Sequence, residues 1–332
     1  MKRVSAQEKK VKKMTNIRDI AKKAGVSVST VSRVLNNHPY VSDQKRKRVE
    51  EIIDELNYEQ NMNAVHLSKG KTQMVAIVLP FVNHPYFSML LEGIASEALK
   101  AQYQLVICQT NYEVQKEVDA LNMLKTKQVD GVIICSRASD WNVIEHYQMY
   151  GPIIICENTK ERSIPSVYID HFGAFEQALT YLNKEGHRHI GYCIGRHAGT
   201  NSQQRAAAYH NYLKKVGEPF RPEWVFEGCL YVTDGDWIVK QLLNMKKRPT
   251  ALLVTNDQVA VGVMTRCAQE GISVPSDIAI IGFDNHPLTS YLQITTIQLP
   301  LIEMGEKLFY LFLHPEHQKI ELPFQLIERK TV

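Results

Sequence analysis

The sequence predicts a small all-α head followed by an α/β body of two doubly wound parallel-sheet subdomains. Three observations carry that expectation. Apolar residues at i, i+3, i+4, i+7 spacing recur within the first sixty residues, and from Met74 onward short apolar runs alternate with helical segments. Those alternating units fall into two series of similar length. A chain of 332 residues is long enough for two or three domains with a sizeable core.

In the head, Thr15 is expected to cap a first helix that buries Ile17, Ile20, Ala21 and Ala24 and ends at Gly25. Ser27 caps a second helix that runs to about Leu35 and stops near Asn36-Asn37-His38-Pro39. A third begins after Ser42 and buries Val49, Ile52, Ile53 and Leu56. Two helices joined by a tight glycine-containing turn and braced by a third read as a helix-turn-helix. The second helix, GVSVSTVSRVLN with its preceding turn, turns Val31, Val34 and Leu35 inward and Ser27, Ser29, Ser32 and Arg33 outward. A wet face of small hydroxyls around one arginine can lie flat on DNA, where a guanidinium bonds guanine O6 and N7 together.

Charge supports that partner. Residues 1–71 hold 16 Lys and Arg against 8 Asp and Glu, a net +8, while the rest of the chain carries −4 of the overall +4. A solvated charged face would have the same composition, so charge alone leaves both readings open. Residues 61–71 are too short and polar for a domain and read as a linker with weak helical character around Asn63–Leu67.

The body begins near residue 72. MVAIVLP, QLVICQT, DGVIIC, PIIIC and SVYID form one strand series; HIGYCIG, WVFEG, ALLVTND and AIIGFD form the second. TTIQLP and FQLIERK are expected as crossover and final strand. Two such subdomains face each other across a cleft in periplasmic sugar-binding proteins, and ligands sit at the carboxyl ends of the strands. The polar residues there are Asn256 and Asp257, Asp284 and Asn285, and Arg205 after the HIGYCIG loop. Carboxylates and amides chelate paired hydroxyls, and an arginine forks onto a hydroxyl or an anion. Capping of the following helix is the plainer alternative for each.

Other chemistry finds little support. Gly191, Gly195 and Gly199 have the wrong spacing for a dinucleotide loop, and there is no P-loop, H-E-x-x-H or serine elbow. His187 and His189 in EGHRHIGY fit a structural loop better than a metal site. No catalytic residue, metal or cofactor is expected, and the protein is not expected to be an enzyme. Six single cysteines with no C-x-x-C pair suit buried thiols in a reducing compartment. No apolar run approaches the roughly 18 residues of a membrane span, and no apolar segment follows the basic N-terminus as in a signal peptide. A cytoplasmic location is expected.

TNIRDIAKKAGVSVSTVSRVLN, residues 15–36, resembles the DNA-reading signature of the LacI/GalR family of bacterial transcription regulators without gaps. The resemblance implies a nucleoid-associated repressor, a homodimer on a pseudo-palindromic operator. Val28, Ser29 and Arg33 would read bases, and Thr15, Ser27, Thr30, Ser32 and Asn36 would contact the DNA backbone. A hinge helix would occupy 61–71, with Leu67 wedged into the minor groove, although Gln60, Val65 and His66 depart from the family pattern. Arg205, Asn256 and Asp284 match the family's effector-contacting positions, while the lip at Phe81 and His84–Met89 departs from it. Relatives begin near Met14, so residues 1–14 read as an upstream start or a basic arm adding phosphate affinity. The head would then span 15–60 and the effector-binding and dimerisation body 72–332. No leucine-heptad tail follows QLIERKTV, so a dimer is expected.

Within the family, VSRVLNNHPYVSDQKRKRV, HPYF, TNY, DGVIICSRASDW and YGPIIICE are most similar to the catabolite control proteins of the B type. That implies carbon-catabolic target genes. The modulator would be a small sugar, a sugar phosphate or a seryl-phosphorylated phosphocarrier protein. The competing reading is a cytoplasmic sugar-binding protein whose basic head binds DNA only nonspecifically.

Overall fold

A computed structural model describes residues 16–59, 70–314 and 318–332. The chain divides into two compact units, Met1–Lys71 and Thr72–Val332. Thr15, Leu67 and the expected hinge helix lie outside the described residues.

The head is three helices, α1 (Ile17–Ala24), α2 (Val28–Leu35) and α3 (Asp43–Glu55). Where the sequence suggested Thr15 as the first cap, the structure uses Asn16. Its side chain accepts from the Arg18 and Asp19 amides, and the Asp19 carboxylate in turn accepts from the Asn16 amide. That reciprocal box satisfies both ends of the turn at once, which a threonine one residue earlier would not. Gly25 ends α1 at φ 67°, a left-handed conformation that costs a residue with a Cβ. Ser42 precedes α3 but makes no capping bond with its side chain, contrary to expectation. Ile20, Ala21, Val31, Val34, Val49 and Ile52 form the head's core, with Ile53 and Leu56 only partly buried at its edge.

The body holds two six-stranded sheets. The first runs β11-β5-β4-β3-β1-β2, from β1 (Met74–Leu79), β2 (Gln104–Gln109), β3 (Gly131–Ile134), β4 (Ile153–Ile155), β5 (Ser166–Ile169) and β11 (Lys319–Leu322). The second runs β12-β10-β9-β8-β6-β7, from β6 (Ile190–Ile194), β7 (Val225–Glu227), β8 (Ala251–Val254), β9 (Ala279–Asp284), β10 (Thr295–Gln298) and β12 (Gln325–Ile327). All pairings are parallel except β10 with β12. Strands β3, β8 and β9 are buried throughout because helices cover both faces, which explains their unbroken apolar runs. Strand β11 was not legible: KIEL is four residues of mixed polarity on a sheet edge.

The covering helices are α4 (Pro85–Lys100), α5 (Val114–Lys125), α6 (Trp141–Tyr147), α7 (His171–Lys184), α8 (Thr200–Val216), α9 (Asp234–Asn244), α10 (Asp257–Gln269), α11 (Pro287–Tyr291) and α12 (Leu301–Leu313). The chain passes between the sheets after β5, after β10 and between β11 and β12. Helix α12 leaves the second sheet and packs on α4 against the first. In each sheet the order reverses beside β1 or β6, so the crevice lies at the carboxyl ends of β1, β3, β6 and β8.

Candidate nucleic-acid interface and ligand cleft

The exposed face of α2 is set by its own cap. Ser27 Oγ accepts from the Thr30 amide at 3.1 Å and lies 2.8 Å from both the Ser29 and the Thr30 hydroxyl. At the other end, Asn36 Nδ2 donates to the Ser32 carbonyl at 2.8 Å. Both helix ends are thereby satisfied without using Val28, whose side chain is 42% exposed, or Arg33, exposed and unpaired among the described residues. Val28, Ser29 and Arg33 share one outward surface, with Ser27 and Asn36 exposed at its ends and Thr30 and Ser32 half-buried at its border. Val31 and Val34 hold the opposite face in the core. A rigid helix presenting small hydroxyls, one methyl pair and one free guanidinium can approach a nucleic-acid groove closely.

In the body, Arg205, Asn256 and Asp284 line one cavity of about 120 Å³, together with His84, Tyr86, Tyr112 and Arg137. Arg205 projects from α8. Its guanidinium lies 4.8 Å from the centre of the Phe283 ring, one Nη is 3.2 Å from His171 Nδ1, and its buried Nε has no partner. Burial pushes the His171 imidazole well down, with the Arg205 charge adding to the effect, so the neutral ring accepts from the guanidinium.

Asp284 ends β9 with φ 106°, followed by Asn285 at φ 54°. Two successive non-glycine residues in this region store backbone strain, and nearby bonds hold them there. Asp257, the first residue of α10, accepts from the His286 amide at 2.6 Å and the Thr296 hydroxyl at 2.8 Å. Arg329 donates to Asn285 at 2.8 Å. Asp257 and Asn285 therefore hold the strand end, and Asp284 faces the cavity with its buried Oδ1 unpartnered. Burial pushes the Asp284 carboxyl well above the usual range, Asp257 adds to this and Arg205 opposes it. A ligand hydroxyl donating to Asp284 would favour the charged form. Asn256 behaves differently: its amide donates to the Cys229 carbonyl at 3.1 Å and accepts from the Val259 amide at 2.9 Å. It shapes the wall while capping α10.

His187 and His189 take separate partners, the Thr250 hydroxyl at 3.0 Å and the neighbourhood of Glu218 at 3.7 Å. The fold brings Tyr86 of the expected lip to the same crevice, together with Tyr112, Arg137 and Arg196, which the sequence does not single out as site residues. Their signal was the position of Ser136-Arg137 and Arg196 just beyond β3 and β6.

His84 joins the two sides of the cleft. It caps α4 from the first subdomain, accepts from the Tyr86 amide through Nδ1 at 3.3 Å, and bonds backbone at Leu230 in the second. Burial pushes its imidazole down to about 4, the Leu230 bond opposing. An unfolded histidine titrates near about 6.5, so between these values the unfolded chain binds a proton that the native chain refuses. Stability contributed by His84 is present at neutral pH and lost as pH falls through that window. Asp257, raised to about 7 mainly by burial, acts in the opposite direction, so the total profile is a sum. In His84→Gln the fall of melting temperature from pH 6.5 to 4.5 is therefore shallower than in the wild type. Parallel profiles would assign the acid sensitivity elsewhere.

Residues 16–61 match the family profile described as "Bacterial regulatory proteins, lacI family". Residues 72–328 match "Periplasmic binding proteins and sugar binding domain of LacI family". An uncharacterised HTH-type transcriptional regulator of Bacillus subtilis, YkvZ, is 46% identical over 96% of this chain and 100% of its own. Catabolite control protein B of the same organism is 36% identical over 93% of this chain and 97% of its own. The lac repressor dimer, solved bound to operator and the anti-inducer ONPF, superposes with a TM-score of 0.81 at 26% identity, covering 96% of this chain and 99% of that one. The head's helix-turn-helix and the two-sheet body with its crevice are the two parts of that architecture, and the chain belongs to the LacI family of bacterial transcription regulators.

Proposed function

We propose that this protein represses or otherwise controls carbon-catabolic genes as a homodimer on a pseudo-palindromic operator, governed by a small hydroxylated ligand in the body's cleft. The observation that carries the reading is the outward face of α2, where Val28, Ser29 and Arg33 stand exposed while the helix ends are satisfied internally. Ser27, Thr30, Ser32 and Asn36, with Thr15, would position the DNA backbone, and Leu67 would wedge the minor groove. Arg205 and Asp284 supply the ligand's polar contacts, since each keeps a buried atom without a partner. Asn256 sets the wall they share. The likeness to catabolite control protein B supports the choice of target genes. A ligand acts only if it binds the DNA-competent and incompetent states unequally.

Comparison of the full chain with residues 72–332 alone tests the division of labour. The body has its own hydrophobic clusters and is expected to melt cooperatively while losing operator affinity. Operator binding retained by the body alone would remove α2 from the account. The seryl-phosphorylated phosphocarrier protein is the alternative modulator, and calorimetry against the full chain decides it: silence at high micromolar concentration excludes it.

A further inference from the structure

Beside the cavity holding Arg205 and Asp284 lies a second, outer chamber of about 410 Å³. The two share the walls Arg137, Arg196, Gly199 and Thr200. Four cations line the outer chamber, Arg137, Lys160, Arg162 and Arg196, against one acid, Asp140. Two of the guanidiniums lie over the Trp141 ring, Arg137 at 4.0 Å and Arg162 at 4.6 Å from its centre. Arg196 lies over the Tyr112 ring at 3.7 Å and donates to the Ser136 hydroxyl and the Arg137 carbonyl. Two of them face carboxylates: Glu157, which lines the inner cavity, accepts from Arg137 Nε at 2.7 Å, and Glu145 stands 3.1 Å from Arg162 Nε as a charge pair without a hydrogen bond. A guanidinium has five N–H donors, so one carboxylate leaves others for a ligand. Stacking on aromatic rings fixes the planes in advance.

The backbone adds to the same field. Helix α8 starts at this chamber with Gly199 as its N-cap and no side chain accepting from its first amides. Gly199 has φ 112°, and a Cβ there would stand 2.8 Å from Arg196 Nη2, so glycine lets the turn close onto that guanidinium. The end of a long helix adds partial positive charge to the fixed cations.

Resting on the ligand-cleft reading above, we propose that this outer chamber is a phosphate subsite. The cleft ligand is then a sugar phosphate, its hydroxyls at Arg205 and Asp284 and its phosphate at Arg137, Lys160, Arg162 and Arg196. Arg137, Lys160 and Arg162 lie on loops of the first sheet, whereas Arg196 and the start of α8 come from the second. A phosphate between them draws the subdomains together, which makes its binding depend on the conformational state.

Trp141 is a built-in reporter, because an anion that recruits its two guanidiniums changes the ring's surroundings. Tryptophan emission of the full chain is recorded during titration with inorganic phosphate, glucose and glucose 6-phosphate, with chloride adjusted to keep ionic strength constant. A saturating change with inorganic phosphate or glucose 6-phosphate, absent with glucose and lost in Trp141→Phe, is expected. Arg162→Gln and Arg196→Gln should each raise the midpoint about tenfold, and Arg266→Gln, far from the chamber beside Glu270, should not. Thermal melting verifies that each variant is folded. A non-saturating response, no response to either phosphate, or midpoints unchanged in both arginine variants would overturn the subsite. Operator binding by the same preparation is measured in parallel, so loss of the subsite and loss of the regulator reading are separate outcomes.

Discussion

Arg33→Ala weakens binding to the matched operator by about 1–3 kcal/mol and relaxes the preference at one base pair. The side chain stands exposed on α2, one turn from Ser29, and has no partner among the described residues of the head. Its removal leaves the Val31 and Val34 core and the Ser27 cap untouched. Alanine is also the better helix former, so the head's stability should not fall. What disappears is a fork of donors that pairs with one guanine edge. Titration against the operator and its single-base variants separates that role from simple charge. Equal weakening on matched and scrambled duplexes would show that Arg33 meets only phosphate.

Gly93→Ala destabilises the body by about 3 kcal/mol or more, although alanine gains about 1 kcal/mol in helix propensity. The reason is the crossing of α4 and α12. A Cβ at position 93 would sit 2.0 Å from the Ile302 carbonyl oxygen, and one at Gly305 would sit 2.2 Å from that of Leu90. Both obstacles are backbone atoms, so no side chain can rotate away and the helices must separate. That separation would disturb the buried residues Leu90, Ile94, Met304 and Leu308 together. At roughly 2–4 °C per kcal/mol for a domain of this size, the melting temperature should drop by about 6–12 °C. A drop of less than about 2 °C would mean the crossing relaxes freely.

Much of this architecture was legible because its signals are local. The i, i+3, i+4 apolar pattern marks the three head helices, and unbroken apolar runs such as GVII and ALLV mark strands covered on both faces. Strand β11 escaped because an edge strand needs neither signal. The cleft was only partly readable. Asp284 and Arg205 stand where strand-end reasoning looks, but Asp257 and Asn285, equally suggestive in sequence, serve the loop that carries Asp284. Asn256 does both, lining the cavity while capping α10. The cationic chamber was invisible since Arg137, Arg162 and Arg196 are far apart in sequence and meet only where the loops after β3, β4 and β6 line one chamber. Trp141, which organises two of them, looks like an ordinary helix start until its neighbours are known.

The central claim is that the head reads sequence rather than charge. Fluorescence anisotropy of a labelled pseudo-palindromic operator with a central CG step, against a scrambled duplex at the same salt, tests it most directly. The account predicts a preference for the operator of about a thousandfold or more. Equal affinity for both duplexes, falling steeply and in parallel with salt, would contradict it.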